Sequence, residues 1–266
     1  MERYLEITKN TPNKEGGKGE TKLKTTQLIF SIKGERATGT RVLRAYLNKC
    51  FNPKYEKINQ SEYDSDGYYG WKHGYIKDEE IEKINKDKTK VIVIQKNIYA
   101  WLLSLYQNKH EDLIPSNGYP PTLLEWIQPT TSVYEPYTGW MKEFYKESGI
   151  YANYENLYEL RYQKYKSFLN SKVENLYFLR YEDLIGNPKA VMEDIALHFE
   201  IEKPLSHLEE IVDVKTDYYT DPTKYYKYEY YLKNHYLREY TEEMKGIIDS
   251  LTDRSIEETI FGYNYK

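Results

Sequence analysis

At 266 residues the chain has the length of one large domain, or of a domain with a lid, and its 39% apolar content is enough for a core. The 38 Lys and Arg against 42 Asp and Glu leave a net charge of −4, without the basic balance that duplex DNA demands. One cysteine, Cys50, excludes an internal disulfide framework and a four-cysteine zinc site, and no 18-residue apolar run is present to form a membrane span.

Residues 1–26 are polar, include Gly16-Gly17-Lys18-Gly19, and read as a flexible leader ahead of a single domain over 27–266. No apolar signal region opens the chain, so the expected location is cytoplasmic. The apolar run Gln27–Ile32 predicts a buried strand and Gly34–Gly39 a turn. A helix follows from Thr40 to about Asn48, with Val42, Leu43, Tyr46 and Leu47 on one face. Residues 52–70 read as loop and 78–88 as a charged surface helix, before a strand over 90–95 and a helix over 98–108. Residues 109–153, with Pro120-Pro121, Trp126 and Trp140, read as long irregular acceptor-binding loops. Residues 154–170 form an amphipathic helix with Leu157, Leu160, Tyr165, Phe168 and Leu169 inward, and a strand covers 175–179. Pro188 opens a helix that buries Val191, Ile195, Ala196 and Phe199, and Tyr225–Leu251 reads as a tyrosine-rich helix or helix pair. The 31 tyrosines read as compositional bias rather than as tyrosine chemistry. Strands alternating with helices predict an α/β fold with a central parallel sheet covered by helices.

Three strand-to-helix junctions carry the chemistry. The first is Phe30-Ser31-Ile32-Lys33-Gly34-Glu35-Arg36-Ala37-Thr38-Gly39-Thr40-Arg41. Backbone N–H groups at a helix start reached through glycines bind anions, and Arg36 or Lys33 adds charge. The Gly-Lys-Ser/Thr ending of a phosphate-loop nucleotidase is absent, and an ordinary glycine-capped turn is the plain alternative. At the second junction Lys96 ends a strand and Ser104 lies eight positions on, two turns into the helix, so both converge on one anion at the sheet's carboxyl edge. The third is Leu179-Arg180-Tyr181-Glu182-Asp183-Leu184 with Asn187-Pro188, whose plain reading is a helix entry capped by Asp183 or Asn187. Two anion cradles in one chain imply a ligand with phosphates at both ends.

In this order the junctions resemble the sulfotransferases that use 3′-phosphoadenosine 5′-phosphosulfate (PAPS). Arg36 through Thr40 resembles the family's first motif, Gln95-Lys96-Asn97-Ile98-Tyr99 with Ser104 its second, and Tyr181-Glu182-Asp183-Leu184 with Pro188 its third; Gly262-Tyr263 resembles a common terminal pair. The resemblance spans roughly residues 27–200 and implies the nucleotide-kinase-like sulfotransferase fold. It implies that Ala37, Thr38, Gly39, Thr40 and Arg41, with Lys33 or Arg36, surround the 5′-phosphosulfate. Lys96 and Ser104 would hold the 3′-phosphate, and Tyr181 would line the adenine wall. Arg36 would stabilise the leaving phosphate oxygen. His73, in Trp71-Lys72-His73-Gly74, would be the general base, and no metal is implied. The product would be 3′,5′-ADP and the acceptor a small molecule or glycan. Trp126, Tyr134, Tyr137 and Trp140 read either as surfaces on which a sugar or phenol stacks or as core residues, the commoner role of aromatics. Arg161 reads either as an anion contact or as a solvent-facing arginine. The chain departs from the family at Lys96, where an arginine is usual, and at Ile98, where a proline is usual. It also lacks a C-terminal Arg-Lys-Gly segment, for which Lys224 or Lys227 would substitute. The rival readings are a phosphate-loop nucleotide kinase and a non-catalytic nucleotide-binding relative.

Overall fold

Strands β1 (Leu28–Lys33), β2 (Glu56–Ile58), β3 (Lys90–Gln95) and β7 (Leu176–Arg180) pair side by side, all parallel, in the order β2-β1-β3-β7. The computed structural model describes residues 28–51, 56–58, 72–108, 114–115, 118, 120–134, 153–201 and 228–264. β3 is central and Val91 through Ile94 are wholly buried, as expected of a strand covered on both faces. Parallel pairing sets Lys33 beside Val93, and Val93 beside Phe178, so these three share one face. Phe178 meets Phe261, which also meets Tyr165 of helix α5 (Leu157–Leu169). On the other face Phe30 packs on Phe51, past the end of helix α1 (Thr40–Cys50), and on Phe199, past the end of helix α7 (Pro188–His198). This is the predicted α/β arrangement.

Helix α2 (Asp78–Lys86) precedes β3 and helix α3 (Ile98–Asn108) follows it. α3 is buried from Ile98 to Leu105 without a polar side, so it is an interior helix. Two stretches differ from the sequence expectation. The segment 52–70 was expected as loop, but Glu56–Ile58 is an edge strand in register with Leu28–Phe30. Its ladder is a backbone property, and Glu56-Lys57-Ile58 carries no apolar run to announce it. Within 109–153, expected as irregular loops, three two-residue strands form an antiparallel sheet in chain order: β4 (Ile114–Pro115), β5 (Val133–Tyr134) and β6 (Asn153–Tyr154). Helix α4 (Leu123–Trp126) lies between the first two, capped by Thr122. β7 runs directly into a short helix, α6 (Tyr181–Gly186), before Asn187 caps α7 through the Ala190 N–H at 3.1 Å. Asp183, the alternative cap, instead takes both nitrogens of Arg180 at 2.6 Å. The tyrosine-rich C-terminal part comprises α8 (Tyr228–Leu232), a 3₁₀ turn (His235–Glu239), α9 (Glu242–Leu251) and α10 (Arg254–Glu257). The expected leader at 1–26 lies outside the described residues.

Candidate active site

β1 and β3 are neighbours, yet the chain leaves β1 toward β2 on one side and leaves β3 toward β7 on the other. Their connections therefore diverge, and the crevice beyond their carboxyl ends is the topological switch point of the sheet. The Gly34–Gly39 turn and Lys96 both stand there.

The turn is tied from within. The Thr38 N–H and hydroxyl both donate to the Glu35 carbonyl, at 3.3 and 2.6 Å. Ala37 (φ 63°) and Gly39 (φ 97°) take left-handed backbone, which reverses the chain into α1. Gly39, the residue at the start of α1, has no side chain to cap its first-turn N–H groups. Gly39 has a second reason to be glycine: a Cβ there would stand 2.3 Å from Cδ2 of Tyr181. Tyr181, from the third junction, is thereby packed on the first. Arg36 is buried at 3% exposure, and its carbonyl accepts the Trp101 indole N–H at 2.9 Å. Thr38 and Thr40 are buried, whereas Arg41 is exposed on the first turn of α1. Lys33 is fully buried; burial lowers its pKa, and the Glu80 carboxylate opposes that.

His73 is bolted to this turn. The Gly34 N–H donates to the Lys72 carbonyl at 2.9 Å, and His73 Nδ1 lies 2.7 Å from the Gly34 carbonyl. A carbonyl only accepts, so Nδ1 carries the hydrogen and Nε2 of the neutral ring is the acceptor nitrogen. Burial holds the His73 pKa well below the ordinary histidine value; Lys72, Arg36 and Lys164 push the same way, against the Gly34 hydrogen bond. The ring is therefore neutral at pH 7. Lys164 is fully buried and pairs with Glu35 at 3.2 Å. Neither Lys72 nor Lys164 was singled out by sequence reading. The signal for Lys164 was a cation set in the inward stripe of α5, among Leu160, Tyr165 and Phe168.

The second junction brings Lys96 and Ser104 together. Lys96 Nζ donates to Ser104 Oγ at 3.4 Å and lies over the rings of Tyr181 and Tyr231, 4.4 and 4.5 Å from their centroids. Only 4% of Lys96 is exposed, and among the described residues no carboxylate stands within ion-pair distance of it. Burial lowers its pKa to about 8, against the pull of Glu182. Glu182 accepts the Asn97 N–H at 3.1 Å and the Tyr263 hydroxyl at 2.6 Å, so the terminal Gly262-Tyr263 pair reaches the same junction. Tyr231, on α8, was not anticipated; nothing local sets it apart in a tyrosine-rich stretch.

Arg161 corrects the sequence reading. It does not face solvent but is fully buried, donating to Glu257 at 2.6 and 3.2 Å and to the Lys96 carbonyl at 2.8 Å. It fixes the backbone at the end of β3 that carries Lys96. Trp126 is likewise interior, at 1% exposure, with its indole N–H on the Leu102 carbonyl at 3.3 Å. It is a core residue, not a surface for stacking an acceptor. Tyr134 lies in β5, and Tyr137, Trp140, Lys224 and Lys227 lie outside the described residues.

The family model for the sulfotransferase domain matches residues 78–248, more than half of the chain. The match takes in Lys96, Ser104, Tyr181, Glu182 and Tyr231, and it begins after the Gly34–Gly39 turn and His73. No curated protein matches the chain significantly. No helix among the described residues is long and apolar enough to cross a membrane. That match, on a parallel sheet with Lys96, Ser104 and the Gly34–Gly39 turn gathered at its switch point, places the chain in the sulfotransferase family.

Proposed function

We propose that the protein transfers a sulfuryl group from PAPS to a hydroxyl, or an amine, of a small-molecule or glycan acceptor, and that residues 27–266 act as one catalytic domain. The observation that carries this reading is Lys96: a buried cation, held by a serine and two aromatic faces, with no carboxylate counter-ion among the described residues. Burying a charge without a partner is costly, so such a site favours an anion. The uncapped start of α1 offers a second anion cradle. The residues present therefore fit a nucleotide phosphorylated at both ends.

In this reading Lys96 and Ser104 hold the 3′-phosphate and Tyr181 borders the adenine. The N–H groups over Thr38–Thr40 hold the 5′ end, with Ala37 and Arg41 bordering it and Lys33 buried beneath the turn. When bound, PAPS supplies a sulfuryl group on a phosphate leaving group. His73 takes the acceptor's hydroxyl proton at Nε2, while Nδ1 stays anchored on Gly34. Arg36 and the first-turn N–H groups of α1 stabilise the charge that accumulates on the departing phosphate oxygen. Holding both ends of the donor positions the reacting atoms in line, and this proximity is a large share of catalysis.

Thermal unfolding with 3′,5′-ADP, beside ATP with Mg²⁺, tests the assignment. Ligand at about 100 times its Kd adds about 2.7 kcal/mol, a rise of roughly 5–10 °C for a domain of this size. That rise with 3′,5′-ADP alone is expected. A rise with ATP alone would favour the kinase reading. Binding of 3′,5′-ADP without turnover on any acceptor would favour a non-catalytic relative.

A further inference from the structure

The hydrogens around Ser104 can be assigned one by one. Its hydroxyl lies 2.7 Å from the Ala100 carbonyl, a back-bond within α3, and that carbonyl can only accept. The serine's single hydrogen is therefore used. Two further polar groups stand at Ser104 Oγ: the Lys96 ammonium, which donates to it at 3.4 Å, and the Tyr231 hydroxyl at 3.3 Å. Both contacts are longer than a normal O–H···O or charged N–H···O bond. Lys96 Nζ, Ser104 Oγ and the Tyr231 hydroxyl thus gather in a place 4% exposed at both Lys96 and Tyr231. An anionic oxygen set among them would be within reach of all three.

Tyr231 is also fixed in orientation. Its ring stands edge-on to Tyr181 at 5.6 Å and 88°, and the two rings flank the Lys96 ammonium. The hydroxyl is therefore held toward Ser104 by packing, without a mobile side chain to order on binding. It arrives from α8, 127 residues away in sequence.

We infer that Tyr231 is a third ligand of the phosphate held by Lys96 and Ser104, and the residue that helps this chain tell a 3′-phosphorylated nucleotide from its unphosphorylated parent. The inference rests on the reading of Lys96 and Ser104 as the 3′-phosphate site. On binding, the Ser104 hydroxyl turns its hydrogen from the Ala100 carbonyl to the phosphate, beside the donors of Lys96 and Tyr231.

Calorimetric titration of 3′,5′-ADP and of 5′-AMP into the wild-type chain, Tyr231→Phe and Lys96→Met tests it. The wild type is expected to prefer 3′,5′-ADP. Tyr231→Phe keeps the ring and loses one donor to a charged group, so its 3′,5′-ADP affinity should fall about 10- to 100-fold. Its 5′-AMP affinity should stay within about twofold, the mark of a lost phosphate contact rather than of damage to the fold. In turnover, the KM for the donor should rise and kcat should hold, as for a group that binds ground and transition states alike. An unchanged 3′,5′-ADP to 5′-AMP ratio in Tyr231→Phe, beside a collapsed ratio in Lys96→Met, would overturn the Tyr231 assignment and leave the phosphate site standing. Equal losses for both ligands would also overturn it, since packing alone would explain them. A wild type that binds both nucleotides equally would remove the 3′-phosphate site itself, and Tyr231's role with it.

Discussion

Tyr263 donates its hydroxyl to Glu182 at 2.6 Å, and the same carboxylate accepts the N–H of Asn97, the residue after Lys96, at 3.1 Å. One part-buried carboxylate thus joins the C-terminal turn, the third junction and the second. Burial raises the Glu182 pKa, against the pull of those two hydrogen bonds. Glu182→Ala strands two donors, each costing about 1–3 kcal/mol, whereas Tyr263→Phe removes one partner and costs about 1 kcal/mol. Urea unfolding should therefore rank Glu182→Ala clearly below Tyr263→Phe. Equal midpoints would show that the Asn97 bond contributes nothing.

Lys96 should make both stability and nucleotide binding depend on pH near 8. Burial lowers its folded pKa to about 8 from 10.5. Between those values the unfolded chain binds more protons, so this group's contribution to stability rises with pH across that window. Anion binding moves oppositely, because the free protein loses its cation as pH rises through about 8. Affinity for 3′,5′-ADP should fall above that pH in the wild type. In Lys96→Arg it should stay level, since guanidinium remains charged. A parallel fall in the arginine variant would place the titrating group elsewhere.

The meeting of Lys96 and Ser104 was legible because the two lie within nine consecutive residues, at a strand end and on the helix that follows. Local periodicity places such groups without knowledge of the rest of the chain. Arg161 was not legible for the opposite reason. Its partner Glu257 is 96 residues away, and a charge at an inward helical position looks like a surface residue until that partner is known. The same holds for Tyr231 over Ser104 and for Lys164 on Glu35. β2 was hidden because three residues paired through backbone alone leave no side-chain pattern. The elements read from the sequence are those with apolar faces, and the parts it withheld are polar contacts between distant segments.

His73 should behave as a base that stays neutral far into acid. Its pKa lies well below the ordinary histidine value, chiefly through burial and then through Lys72 and Arg36. The kcat/KM profile should stay flat through pH ~6.5, the free-histidine value, and fall only below it, as the ring protonates. Removing a neighbouring cation with Lys72→Ala should move that acid limb upward. His73→Ala should lower kcat about 10²- to 10⁴-fold. Full activity in that variant, or an acid limb above the free-histidine value, would reject the assignment.

Gly39 and Gly262 separate backbone strain from steric conflict. Both have left-handed backbone, at φ 97° and 66°. A Cβ on Gly262 would meet only Arg180 Nη1 at 3.8 Å, whereas one on Gly39 would enter the Tyr181 ring at 2.3 Å. Gly262→Ala should cost about 1 kcal/mol from conformation alone. Gly39→Ala adds displacement of Tyr181, and with it one wall of the Lys96 site. It should be the less stable of the two and should weaken 3′,5′-ADP binding. Matching Tm values would mean that the Tyr181 ring yields without cost.

The buried Arg161–Glu257 pair should show opposite responses to single and double replacement. Arg161→Leu leaves Glu257 charged in the interior, at a cost of about 3–5 kcal/mol, while replacing both partners by apolar residues of similar volume is often nearly neutral. Arg161→Met with Glu257→Leu should therefore regain most of the lost stability. It should not regain nucleotide affinity, because Arg161 also donates to the Lys96 carbonyl at 2.8 Å and no apolar residue replaces that bond. Stability measured by denaturant and 3′,5′-ADP affinity measured by calorimetry should thus part company in the double variant. Recovery of both would show that Lys96 keeps its place without Arg161, and would reduce the pair to a packing element of α5 and α10.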